Sequence, residues 1–207
     1  MKTVNHDSNY QQLVWEIDSM GKGTVFLVDD LDITDKAVLR VYLSRMVESG
    51  LITRIAPGVF CVPRYSEVLK STVPPDIDDV AAAIAKSEKS RIIPVGSYAL
   101  YKAGLTTQVP SVAVFGTDGT ARVIKLNDGR TIKFKAVAAK NFAYNSPVVQ
   151  TAVSAMREIK EENIKEDDIV RLRNLCASVD GKVFESDLRL APEWISRALK
   201  RGVKNAD

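Results

Sequence analysis

The sequence predicts an α+β protein in two domains. The first, residues 1–64, reads as an N-terminal winged helix-turn-helix. The second, residues 65–207, reads as a mixed α/β domain with an antiparallel strand meander and C-terminal helices. Three observations carry this. Residues 39–63, LRVYLSRMVESGLITRIAPGVFCVP, join a helical apolar period to two β-branched runs and a Pro-Gly turn. Residues 112–135 alternate short β-rich runs with Gly- and Asp-containing turns. The last quarter returns to helical periodicity.

In chain order, residues 9–20 form a first helix. Leu13, Ile17 and Met20, with Val14 and Trp15 nearby, make a wide apolar stripe, and Gly21-Lys22-Gly23 ends it. Residues 24–28 are a short extended run expected to pair with the wing, and 29–33 a turn of helix. Thr34 or Asp35 is placed to cap the next helix, 36–49, by accepting from its free N–H groups. Leu39, Tyr42, Leu43, Met46 and Val47 gather on one side of that helix, and Gly50 supplies a left-handed closing residue. Residues 51–55 and 59–62 are the two strands of the wing, joined by Ala56-Pro57-Gly58.

Prolines 63, 74 and 75 and their polar neighbours mark residues 64–79 as a linker running into a helix over 77–87, whose early acids suit the helix dipole. A strand at 91–95 and a helix at 97–103 closed by Gly104 follow. The meander is 112–115, 121–126 and 131–135, turning at 116–119 and at Asn127-Asp128-Gly129. Ile132 and Phe134 alternate with Lys133 and Lys135, giving one buried and one charged face. Pro147 opens a helix over 147–161, and helices at 167–177 and 193–200 complete the chain.

The 207 residues carry a formal net charge of +3, which permits nucleic-acid binding without demanding it. Residues 1–64 hold seven Lys/Arg and eight Asp/Glu, so the reading head is near neutral and needs clustered charge, a homodimer or the second domain to bind tightly. No apolar run approaches the ~20 residues of a membrane span. The polar start MKTVNHDSNYQQ lacks a signal-peptide core, so a cytoplasmic protein is expected. Cys61 and Cys176 are too few for a disulfide framework or a zinc site.

On the helix over 36–49, the side away from the apolar stripe and its borders hold Lys36, Ala37, Arg40, Val41, Ser44, Arg45 and Glu48. Arg40 suits bidentate contact to guanine, Ser44 can donate or accept, and Ala37 and Val41 suit thymine methyls. Lys36, Arg45 and Arg54 suit phosphates, which position the protein without specifying sequence. Double-stranded DNA is the expected partner.

No catalytic constellation, metal site or cofactor motif is expected. One terminal histidine, His6, removes most His-based hydrolase and metal designs, and no P-loop, Gly-x-Ser-x-Gly elbow or dinucleotide fingerprint occurs. Gly96-Ser97 before a helix resembles the phosphate-cradling start of nucleotidyltransferases, but the following strand offers no acid for magnesium, so the pair reads as a cap. The acids Glu161, Glu162, Glu166, Asp167 and Asp168 read as solvated caps. Basic clusters at Arg122, Lys125, Arg130, Lys133, Lys135 and Lys140, and at Arg189, Arg197, Lys200, Arg201 and Lys204, read as solvated surface with nucleic-acid backbone contact as the alternative.

LSRMVESGLITRIAPGVFCVP resembles the recognition helix and wing of AbiEi-type antitoxins of bacterial type IV toxin–antitoxin systems. GSYALYKAGLTTQVPSVAVFGTDGTARVIKL followed by RTIKFK is similar to the C-terminal part of a subgroup of that family. The likeness covers most of residues 10–140. It implies a winged helix that represses its own operon by binding operator DNA. It also implies a second domain that counters a nucleotidyltransferase-like toxin without a stable complex. By position the DNA role falls on Lys36, Arg40, Ser44, Arg45 and Arg54. Two other readings stay open: a protein-interaction module with the winged helix as docking platform, and a degenerate nucleotidyltransferase-like protein.

Overall fold

The computed structural model describes residues 6–200, with side chains from residue 9 onward. His6 as a side chain, and Arg201 and Lys204, lie outside the described residues. The fold is α+β, with eight α-helices and three sheets among the described residues. By backbone contacts, residues up to Lys89 together with Lys125–Gly129 form one unit, and Ser90–Ile124 with the residues from Arg130 on form the other. The division lies at 89/90 rather than 64/65.

The first unit opens with α1 (His6–Ser19), β1 (Val25–Leu27), a 3-10 turn (Val28–Asp30) and α2 (Lys36–Glu48). Strands β2 (Thr53–Ala56) and β3 (Val59–Cys61) follow, and the sheet order is β1-β3-β2, all antiparallel. Asp35 is the cap of α2: its carboxylate accepts from Ala37 N–H at 2.9 Å and Val38 N–H at 3.1 Å. The helix closes as the glycine requires. Gly50, at φ +74°, donates to Val47 O, and Leu51 N–H reaches back to Met46 O at 2.9 Å, the double bond of a Schellman ending.

Between β2 and β3, Pro57 and Gly58 (φ +77°) form the turn, and Ile55 is an extra residue that bulges β2 between Arg54 and Ala56. The bulge turns two carbonyls outward within this unit: Asn127 Nδ2 donates to Arg54 O and Asn127 N–H to Ile55 O, each at 2.8 Å.

Leu13 and Ile17 of α1 meet Leu39, Tyr42, Leu43 and Met46 of α2 and Phe26, Ile52 and Phe60 in one core. Phe26 and Phe60, paired in register, stack at 5.8 Å, and Tyr10 meets the Tyr42 ring edge-on at 5.3 Å. Trp15 departs from the expected stripe and is 75% exposed. On a helix it sits two residues from both Leu13 and Ile17, so it turns away from the face they bury.

The stretch read as a linker is instead a hairpin, β4 (Arg64–Ser66) and β5 (Ser71–Val73), followed by α3 (Ile77–Ser87). Helix α3 buries Val80, Ala81, Ile84 and Ala85 and lies against β1. That burial is why residues 65–89 belong with the first unit.

The second unit contains β6 (Ile92–Pro94), α4 (Gly96–Lys102), β7 (Val112–Thr117), β8 (Arg122–Lys125) and β9 (Thr131–Ala136). A 3-10 turn (Ala139–Phe142) follows, then α5 (Pro147–Ile159), α6 (Glu166–Cys176), α7 (Gly181–Leu188) and α8 (Glu193–Lys200). The expected antiparallel meander is corrected here. The order is β6-β7-β9-β8, and β9 runs parallel to β7 with β8 on its outer side.

The register explains the exchange. Ala113 pairs with Ile132 and Phe115 with Phe134, so β9 offers two buried apolar residues to β7. Strand β8 carries Arg122 and Lys125 with a half-exposed pattern that suits an edge. Helices α4 to α8 share a second core around Ala99, Ala152, Met156, Leu172, Leu188 and Ile195.

One buried polar group organises this core. Asp187, fully buried on α7, accepts from Asn145 N–H at 2.9 Å, Asn145 Nδ2 at 3.0 Å and Ser146 N–H at 2.8 Å. It ties α7 to the N-cap of α5, Ser146, and to the residue before it. Among the described residues no helix is long and apolar enough to cross a membrane.

Candidate nucleic-acid interface

Helix α2 buries one face, which leaves the other to solvent. Lys36, Ala37, Arg40, Val41, Ser44 and Arg45 are all exposed on it, as is Arg54 on β2. The structure therefore places every expected contact residue on the surface. It brings four of the seven together. Lys36, Arg40, Ser44 and Arg54 line one open groove of about 760 Å3 between α2 and the β2–β3 hairpin. Its apolar base is Val28, Leu43, Val47 and Phe60, and Gly58 lies at the hairpin end. Ala37, Val41 and Arg45 are not among its lining residues.

The local electrostatics favour anions, with one offset. Lys36 Nζ pairs with Asp29 at 2.9 Å, both side chains well exposed, so this pair contributes little stability and its charge is easily redirected. Ser44 Oγ donates to Glu48 Oε1 at 3.3 Å. Arg40 and Arg54 have no ion-pair partner among the described residues. Asp29 was the one lining charge of opposite sign that the helix face alone did not show. It comes from the 3-10 turn, brought alongside Lys36 by the fold.

Several other polar groups have partners or positions within the fold. The basic end cluster is partly paired: Arg197 meets Glu161 at 3.2 Å and Lys200 meets Glu185 at 2.9 Å. Asp118 is held by Arg91, which donates its N–H at 2.7 Å and its Nε at 2.8 Å. Those bonds, the backbone one first, lower the Asp118 pKa. Gly96-Ser97 is not a side-chain cap; Val95 is the N-cap of α4 and makes no side-chain cap bond. Glu166 to Asp168 do occupy the first turn of α6, and no group of three or more metal-ligand side chains occurs among the described residues. Burial raises the thiol pKa of Cys61, and that of Cys176 to about 11, so both are poor nucleophiles near neutral pH.

No curated protein and no solved structure matches the chain. A family model described as a family of unknown function, DUF6088, matches residues 12–182. That match spans both units, from α1 to the start of α7, and the chain belongs to the DUF6088 family.

Proposed function

We propose that this chain is a DNA-binding transcriptional regulator whose first unit acts as a winged helix-turn-helix. The observation that carries the reading is the groove between α2 and the β2–β3 hairpin, with Lys36, Arg40, Ser44 and Arg54 at its edges and their side chains exposed. The order helix, strand, short helix, helix, two strands, with strand order β1-β3-β2, supports it. So does size: a helix about 10–12 Å across fits a major groove about 12 Å wide.

In this mechanism α2 lies along the major groove and the hairpin grips the adjacent backbone. Arg40 and Ser44 meet base edges, Ala37 and Val41 thymine methyls, and Lys36, Arg45 and Arg54 phosphates. The near-neutral head makes a homodimer on a repeated site the natural way to reach useful affinity. The resemblance of residues 43–63 and 96–135 to AbiEi-type antitoxins extends the proposal. The chain represses its own operon in the cytoplasm, and its second unit counters a nucleotidyltransferase-like toxin without a stable complex or catalysis of its own.

Fluorescence anisotropy with duplex DNA from the native upstream region tests the reading surface. Arg40→Ala is expected to weaken binding by roughly 1–3 kcal/mol and to relax discrimination at one base position. Arg54→Ala is expected to weaken binding evenly across sequences and to reduce the salt dependence by about one phosphate contact. Unchanged binding of both variants at low salt would show that this face is not the reading surface.

A further inference from the structure

A second groove, of roughly 450 Å3, lies within the second unit and has no part in the reading above. Its floor is one face of the mixed sheet. Val114 stands beside Lys133 and Gly116 beside Lys135 across the β7–β9 pair, and Ile93 stands beside Gly116 across β6–β7. Helix α5 supplies Ser154, Arg157 and Glu158, and Val137 and Asn141 follow from the chain after β9.

The charge on this surface is lopsided: Lys133, Lys135 and Arg157 face it against Glu158 alone. The two lysines are exposed and have no ion-pair partner among the described residues. Two residues apart on one strand, they project to the same side about 7 Å apart. Their neighbours on β7 are Val114 and Gly116, where a charged sheet face would ordinarily offer an acid. Arg157 is already positioned. Its Nη1 donates to Asn141 Oδ1, and Asn141 is itself held through its carbonyl, which accepts from Gln150 Nε2 at 2.6 Å. A guanidinium set in place beside two uncompensated ammonium groups, over a floor of aliphatic side chains, concentrates positive potential in a concave site of small-molecule size.

We propose that this groove binds a small phosphorylated molecule bearing two or more phosphate charges. The Arg157 fork takes one phosphate, and Lys133 and Lys135 take the next. Ile93, Val95, Val114 and Val137 pack its apolar part. The phosphate chain is the shared chemistry of inorganic pyrophosphate and of nucleoside polyphosphates.

Calorimetric titration of the full chain with pyrophosphate and, separately, with ATP, both free of magnesium, tests this. Saturable binding is expected, weakened roughly tenfold or more in Lys133→Ala/Lys135→Ala and unchanged in Arg40→Ala/Arg54→Ala. Tighter binding of ATP than of pyrophosphate assigns the site to a nucleotide; equal binding assigns it to the phosphate chain alone. Absence of saturable heat with either ligand at millimolar concentration would overturn the proposal. So would undiminished affinity in the lysine double variant whose melting is unaltered, or a loss confined to duplex DNA binding. Failure of the DNA reading leaves this result standing, because the two sets of substituted residues are disjoint.

Discussion

The groove of the first unit is assembled from residues 28–60, whereas that of the second draws on residues 93–158. The first needs one helix, one turn and one hairpin in sequence. Its cations stand on a single helix face and on the strand that follows it. The second needs β9 to insert between β7 and β8, and then needs α5 to return over the same sheet face. Local assembly closes short loops and leaves its pattern in the spacing of residues; the second groove closes longer loops and leaves almost none. A similar difference holds for charge. Lys36 is offset by Asp29 in the first groove, while Lys133 and Lys135 are not offset in the second.

The sharpest way to break this contrast is Asp187→Ala. It removes the acceptor of the buried Ser146 N–H and of two donors on the exposed Asn145, and loosens the start of the helix that carries Arg157. With one buried donor left unsatisfied and Asn145 open to water, a loss of roughly 1–3 kcal/mol is expected in denaturant unfolding. Amide exchange should accelerate at residues 145–150 and not in α2. Acceleration in both places would mean the two grooves share one stability and that the contrast is false.

A smaller effect is expected at Gly58→Ala. The turn holds φ +77°, which costs a residue with a Cβ about 1 kcal/mol. The hairpin should fray, weakening DNA binding while leaving phosphate binding intact. Equal DNA affinity would remove the hairpin from the proposed interface.

The smallest effect is a pH dependence in the second unit. Arg91 depresses the Asp118 pKa below its ordinary 3.8. The stabilisation is therefore present above that value and is lost as pH falls through the lower, folded-state pKa. Acid titration of stability should show this slope in the native chain and a shallower one in Asp118→Asn. Identical curves would show that the Arg91 contacts contribute nothing.

Much of the first unit was legible as sequence. The four buried residues of α2 recur at helical spacing, Asp35 and Gly50 mark its ends chemically, and Pro57-Gly58 names the turn. Each of these signals lies within a few residues of the structure it specifies, where sterics and local hydrogen bonds decide. Exposure of the six candidate contacts on α2 followed from the same periodicity, since a helix that buries one face must show the other.

The second unit shows where such reasoning stops. Asn127-Asp128-Gly129 marks a hairpin correctly, yet which of its strands lies beside β7 is a contest between faces. Ile132 and Phe134 win it over Arg122 and Lys125 by burial. Helix α7 leaves little signal in the sequence because its buried residues, Leu188 and Asp187, lie at one end and acquire meaning only against Asn145 and Ser146, some forty residues earlier. The chain by itself determined its local elements and the cationic face of α2, because those depend on neighbours in sequence. Tertiary structure alone decided the parallel β7–β9 pairing, the buried Asp187 anchor and the groove of Lys133, Lys135 and Arg157. Those depend on apolar burial and hydrogen bonds between residues that meet only after the chain has closed on itself.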